Sequence, residues 1–260
     1  MGSEILREKF SLEGQTALVT GSGRGIGKGL ATALAKAGAD IVVLDIIEEN
    51  VRETVPFLES TAGTKAYPYV ADLSKIDMIP HYVQEILGEM GKIDILINNA
   101  GIQVRKPALD FTLEEWNSVI NIHLTASFAM AHAIVPGMIE RGGGKIINIA
   151  SLNCVMAVPN IIAYTAAKSG VAGLTRSMAV EWSQYNIRAN AIGPGFTRTK
   201  LTEKLFQDPV KTKWVMDRIP MKRLVDPEND LGYVAVFLAS DASSYLTGQV
   251  IYVDGGWLAS

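Results

Sequence analysis

Thr20-Gly21-Ser22-Gly23-Arg24-Gly25-Ile26-Gly27-Lys28-Gly29 is the most informative segment of this 260-residue chain. It follows the β-branched run Thr16–Thr20 and leads into a helical pattern over Ile26–Ala37. A glycine turn between strand and helix permits a tight bend and lets the backbone close on a phosphate. It also aims the helix's free N–H groups and positive dipole end at an anion. Two phosphate motifs compete for the segment. The Walker pattern needs Gly at position 22 and Ser or Thr at 29, where the chain has Ser22 and Gly29. Gly-x-Gly-x-x-Gly also fails in its literal form, because Ile26 stands at the third position. What remains is Thr-Gly-x-x-x-Gly-Ile-Gly, with Gly21, Gly25 and Gly27.

Outward from this turn, short apolar runs alternate with helix-length segments. The runs are Thr16–Thr20, Asp40–Leu44, Ala66–Ala71, Ile93–Asn98, Lys145–Ala150, Ile187–Ile192 and Val250–Val253. Several are apolar on consecutive residues, as strands buried on both faces of a parallel sheet are. Helical patterns cover Ile26–Ala37, Glu48–Ser60, Lys75–Met90, Leu113–Arg141, Ala163–Gln184 and Glu228–Ser240, with Thr112 and Glu115 spaced as a capping box. The alternation predicts an α/β protein, a single doubly wound Rossmann domain over residues 1–260 with a seven-stranded parallel sheet and helices on both faces. Residues 1–11 read as an N-terminal extension. Residues 196–224 read as a long irregular connection of the kind that forms a lid over a substrate.

Composition narrows the function. With 24 basic against 27 acidic residues and a net charge of −3, no footprint for nucleic acid exists. Cys154 is the single cysteine, so no intrachain disulfide and no multi-cysteine metal site is expected. The segment Met1–Lys9 lacks a signal-peptide core, and no uninterrupted apolar run of about 18 residues stands out. The expectation is a cytoplasmic protein with no membrane and no metal.

Asp45 closes the second strand, close to the spacing at which an acidic residue takes the ribose hydroxyls of a dinucleotide. A carboxylate there repels a 2′-phosphate of roughly −1.5 to −2 charge. Arg24 pulls the other way, but the apolar Ile46 and Ile47 follow Asp45, so NAD is favoured and NADP is the lesser expectation. Tyr164 and Lys168 lie four apart on one helix, hence on one face. For a phenol of pKa about 10 to act as a base near neutrality, a shift of roughly 3 units is needed. A neighbouring ammonium and an oxidised nicotinamide both stabilise the phenolate. At this spacing alone the pair is more simply an exposed Tyr–Lys contact. Ser151, at the end of the fifth strand, alters that balance, since ligands bind beyond the carboxyl ends of such strands.

With Asn98-Asn99-Ala100-Gly101 after the fourth strand, Pro194-Gly195 with Thr199, and Val253-Asp254-Gly255-Gly256 near the end, the chain resembles the short-chain dehydrogenase/reductase family from Leu12 to Trp257. The resemblance implies Tyr164 as the acid/base, Lys168 as the group that lowers its pKa and holds the nicotinamide ribose, and Ser151 as the donor to the substrate oxygen. It implies Asp72 and Leu73 beside adenine, with Asn99, Ala100 and Gly101 along the cofactor path. Ile192, Pro194, Gly195, Thr197 and Thr199 then belong to the nicotinamide side, and Arg24, Gly25 and Ile26 to the phosphate turn. The family usually has Asn where this chain has His123. That imidazole either relays a proton towards Lys168 or packs as a plain helix histidine that shapes the site.

Within the family, Phe10-Ser11-Leu12-Glu13-Gly14, Ala71–Asp77, Gly101-Ile102-Gln103-Val104-Arg105 and Asp254–Leu258 are similar to the gluconate 5-dehydrogenase branch. This implies an oxidoreductase that interconverts a secondary alcohol and a ketone on a sugar acid. Arg105, Ser151, Asn153 and Tyr164 then form its substrate side; Arg105 either grips a carboxylate bidentately or is a solvent-exposed loop arginine, and Arg198 is a second basic candidate open to the same two readings. Reduction of another polar ketone or a 3-oxoacyl group, and a dinucleotide-sensing module without turnover, are the alternatives. Family similarity also implies a homotetramer.

Overall fold

A computed structural model describes residues 2–260. Seven strands form one parallel sheet: β1 (Thr16–Thr20), β2 (Asp40–Asp45), β3 (Ala66–Val70), β4 (Ile95–Asn98), β5 (Gly144–Ile149), β6 (Ile187–Pro194) and β7 (Val250–Val253). Their order is β3-β2-β1-β4-β5-β6-β7. The order reverses direction between β1 and β4, which opens a crevice at their carboxyl ends.

Each strand feeds both faces of the sheet because its side chains alternate. Val19, Ile41, Val43 and Ile97 pack on α2 (Gly25–Lys36), through Leu30 and Leu34, and on α3 (Glu48–Ala62), through Val51 and Leu58. Leu18, Val42, Leu44 and Leu96 face the other way. They meet Val83 and Ile86 of α4 (Ile79–Met90), Met130 and Ile134 of α6 (Ala126–Glu140), and Met178 of α7 (Ile162–Trp182). Pro68 sits in β3, the edge strand on one side, where a missing N–H costs least.

Two expectations need correction. The pattern over Leu113–Arg141 is not one regular helix. It is Leu113–Ile120 (α5), a π-turn over Asn121–Thr125, and then α6. The long connection 196–224 is not irregular throughout, since it carries Glu203–Phe206 (α8) and Pro209–Arg218 (α9), the latter capped by the Asp208 carboxylate. The N-terminal extension holds the first helix, α1 (Gly2–Phe10). The composite helix 113–140 has no uninterrupted apolar run, but it includes an 18-residue window of mean hydropathy 1.4, long and apolar enough by composition to cross a membrane. Its side chains Met130, Ala131, Ile134, Val135 and Met138 are buried in the core beneath the sheet, as those of a core helix are.

The predicted capping box at α5 forms in full, Glu115 N–H donating to Thr112 Oγ1 at 3.2 Å and Thr112 N–H to Glu115 Oε2 at 2.9 Å. Phe128 on α6 and Val180 on α7 keep their apolar surfaces exposed in the single chain.

Candidate active site

The glycine turn, Asp45, Asp72, Asn99–Gly101, Ser151 and Pro194–Gly195 lie at the carboxyl edge of the sheet, because each stands at or just beyond the end of a strand. The glycine turn leaves β1 and enters α2, whose N-terminus has no side-chain cap. The first N–H groups of this helix are therefore unspent, as an anion site requires. Gly27 has no room for a side chain: a Cβ there would lie 2.2 Å from the Gly21 carbonyl oxygen. Asn99 clamps the same turn, its Nδ2 donating to Thr20 O at 2.9 Å and Gly21 O at 3.1 Å. Thr20 is a participant that the sequence alone did not reveal. Its hydroxyl accepts the N–H groups of Asn99 and Ala100 at 2.9 and 3.0 Å, fastening the end of β4 to the end of β1.

Asp45 is 7% exposed, and both its oxygens are engaged by backbone: Gly23 N–H at 3.0 Å and Ile47 N–H at 3.0 Å. Each oxygen retains a second lone pair, so a ribose hydroxyl still finds an acceptor. Asp72 accepts the N–H and hydroxyl of Ser74, which hold its carboxyl below the usual range, and Leu73 beside it is buried. Thr199 leans over the glycine turn, its methyl 3.5 Å from where a Cβ of Gly25 would stand. Thr202, also outside the sequence reading, anchors this part of the connection by donating to Thr197 O at 2.6 Å and accepting Thr199 N–H at 2.9 Å. Arg24 is exposed at the rim, Ile26 opens α2, and Pro194 ends β6, with Gly195 N–H donating to Val253 O. An uncapped helix start, a cradle that a Cβ would fill and a carboxylate at the ribose position fit a dinucleotide.

Ser151, Tyr164 and Lys168 converge as expected. The Ser151 hydroxyl draws the Tyr164 phenol's pKa down, and Lys168 Nζ stands 5.7 Å from the tyrosine ring centroid while donating to Ile149 O. Burial pushes the lysine down to about 8. The phenol departs from the sequence argument. Burial raises it, and the groups that draw it back are Ser151 and the Arg105 guanidinium rather than Lys168. Desolvation of the phenolate outweighs both of these.

Asn153 lies beside the serine. Its Nδ2 donates to Thr165 Oγ1 at 3.0 Å and its N–H to Ser151 Oγ at 3.1 Å, which orients the serine. Cys154 donates its thiol to the Lys168 carbonyl, and burial raises its pKa, so it fills space rather than reacting. His123 is buried beside Tyr164, their rings edge to face with centroids 5.2 Å apart. Asn121, the nearby asparagine, instead accepts the Thr125 hydroxyl at 3.3 Å.

A family model described as Enoyl-(Acyl carrier protein) reductase matches residues 21–258. The 2-dehydro-3-deoxy-D-gluconate 5-dehydrogenase of Escherichia coli (strain K12) is 45% identical over 256 residues, 98% of this chain and 100% of that protein. The chain belongs to the short-chain dehydrogenase/reductase family. Solved members share its architecture. A gluconate 5-dehydrogenase from Burkholderia cenocepacia J2315, in complex with NADP and tartrate, superposes with a TM-score of 0.93 at 39% identity, covering 98% of this chain and 99% of that one. A short-chain type dehydrogenase/reductase from Mycobacterium marinum gives 0.91 at 35%, covering 97% and 99%. This short-chain dehydrogenase/reductase is an oxidoreductase that uses a nicotinamide dinucleotide.

The arrangement assigns the remaining chemistry. A nicotinamide dinucleotide held along the glycine turn, Asp45 and Asn99–Gly101 would supply the hydride chemistry. The Tyr164 phenol and the Ser151 hydroxyl are the groups here able to exchange a proton with a substrate oxygen and to hydrogen-bond it. Lys168 presents a buried cation beneath the phenol.

Proposed function

We propose that this enzyme interconverts a secondary alcohol and a ketone on a gluconate-type sugar acid, at the 5-position, with NAD(H). Arg105 carries the substrate part of the proposal. It is exposed on the connection after β4, its charge is felt at the Tyr164 phenol, and no carboxylate pairs with it among the described residues. A guanidinium beside the reacting group and without an anion of its own suits a substrate carboxylate, which it can grip bidentately. Arg198 suits that task less well, being stacked over Phe206 at 5.5 Å. The relatives named above are consistent with an acidic polyhydroxy substrate.

Asp45 supports NAD. Its buried carboxylate occupies the ribose end of the site, and Ile46 and Ile47 offer no cation for a 2′-phosphate. NADP is the second reading, favoured by the NADP held in the Burkholderia structure and by the exposed Arg24. A spectrophotometric panel tests both choices. NAD+ and NADP+ are each paired with gluconate, 2-dehydro-3-deoxygluconate, a neutral polyol and a hydroxyacyl thioester. The proposal expects the highest kcat/KM with NAD+ and a sugar acid. A hydroxyacyl or polyol optimum would overturn the substrate, and an NADP+ optimum the cofactor choice. Arg105→Ala is expected to raise KM for the sugar acid on the order of tenfold or more, a loss fitting one charge-assisted pair of about 1.5–3 kcal/mol. A neutral alcohol would be affected far less.

A further inference from the structure

The sequence leaves His123 between a proton relay and a packing role, and its surroundings show what the imidazole does. The residue sits in the π-turn Asn121–Thr125 between α5 and α6 and is only 3% exposed. Its Nε2 lies 2.8 Å from the Ile102 carbonyl oxygen. A carbonyl only accepts, so the proton is on Nε2 and Nδ1 carries a bare lone pair. That Nδ1 is buried without a partner. Around the ring stand Lys168 and Tyr164 from α7 and the backbone of Gly101 and Ile102 after β4. On the helix itself, the Ser127 hydroxyl donates to the His123 carbonyl at 2.8 Å. Burial and the Lys168 ammonium together push the imidazole down to about 3.

Gly101 supplies the second half of the argument. A Cβ there would lie 2.1 Å from His123 Cε1, 2.8 Å from Nδ1 and 3.0 Å from Nε2. The backbone of Gly101 is not in the left-handed region, so a side chain is forbidden by the imidazole rather than by conformation. One face of the ring region is thus pressed against the cofactor-side turn, and the ring meets Tyr164 edge to face at 87°.

We propose that His123 is a positioning residue: a neutral wedge, hydrogen-bonded to Ile102 and seated against Gly101, that sets the spacing between the Asn99–Gly101 turn and the Tyr164 ring and carries no proton. Passing a proton through Nε2 would break the Ile102 bond. Taking one at Nδ1 would place a second buried cation beside Lys168. The inference rests on Tyr164 as the proton-exchanging group, but the wedge itself is open to test without that assignment.

The test uses His123→Ala, His123→Gln, Gly101→Ala and the double variant Gly101→Ala/His123→Ala. Gln places a non-titrating N–H donor at about the reach of Nε2. His123→Ala is expected to lower kcat on the order of 10- to 100-fold, as misplacement of a reacting group does. Gln should recover most of that loss and keep the parent's pH–rate limbs. Gly101→Ala should lose cofactor affinity and melting temperature by itself, and combining it with His123→Ala should add little, because the clash is gone. Additive losses would overturn the wedge. A Gln variant as poor as Ala, with a limb missing from its pH profile, would show a proton carrier instead. Should Gly101→Ala fail to fold, histidine 15N shifts of the parent enzyme decide the matter. One Nε2–H tautomer that persists from pH 5 to 8, beside the signals of the exposed His81 and His132, supports the proposal, and titration of His123 in that range overturns it. Failure of the Tyr164 assignment would abolish the kcat effects but leave the melting-temperature cycle and the tautomer in place.

Discussion

At the scale of single residues, the site places groups where water is scarce and lets desolvation set their protonation. For His123 the sign of the effect on stability follows directly. Its folded pKa of about 3 lies below the ordinary 6.5, so the unfolded chain binds the extra proton between those values, and stability falls as pH drops from 6.5 toward 3. Between pH 7 and pH 5 this one group should remove about 2 kcal/mol. Urea unfolding of the parent and of His123→Gln at both pH values measures the difference, and equal losses in the two proteins would refute it. Tyr164→Phe is expected to lower turnover at least 1,000-fold while leaving dinucleotide binding within a fewfold, which stopped-flow and fluorescence titration separate. The residue types here were legible because their chemistry is specific: a phenol and an ammonium one helical turn apart, with a hydroxyl at a strand end. The balance among them was not. Whether burial or charge governs a phenol depends on how many side chains exclude water from it, and spacing along the chain does not record that.

Elements place these groups, and they differ in how clearly the sequence announced them. The strands were plain because β1, β2, β4 and β5 are buried on both faces and therefore apolar at successive positions. The π-turn at Asn121–Thr125 was hidden because one extra residue per turn leaves the apolar spacing of Leu113–Glu140 almost unchanged, although it rotates His123 towards Tyr164. Helix α9 was hidden because its outward side chains Lys211, Lys213 and Asp217 dilute a short apolar stripe that holds Val215 alone fully buried. The glycine turn is the element with the least tolerance. Gly27→Ala should cost at least tenfold in dinucleotide affinity, since its methyl has to displace the Gly21 carbonyl. Isothermal titration reads this directly, and parent-like affinity would mean the turn relaxes at no cost. Thr20→Val, which strands the N–H groups of Asn99 and Ala100, is expected to destabilise by about 1–3 kcal/mol in urea unfolding.

On the scale of the whole molecule, the sheet order brings residues as distant as Gly21, Ser151 and Gly195 to one edge, so a dinucleotide lying along that edge ties several strand ends together. A ligand at one hundred times its dissociation constant adds about 2.7 kcal/mol to the folded state. For a chain of this length that is a rise in melting temperature of roughly 5–10 °C. At equal concentrations NAD+ should give the larger rise, and a larger rise with NADP+ would reverse the role given to Asp45. The segment 196–224 folds over this edge with an aromatic cluster at its root. Trp257 lies 4.7 Å from Phe196 and 5.5 Å from Trp214, Arg218 stands over both indoles, and the Trp257 indole N–H points at Met156 Sδ, 3.2 Å away. Trp214 rides on α9 inside that segment, whereas Trp257 belongs to the final turn beyond β7. The enzyme therefore contains its own optical gauge. Any shift of α9 that parts the two indoles alters ultraviolet-excited emission without a dye, and subtracting the signal of a Trp214→Phe protein isolates that shift from the light of the other tryptophans.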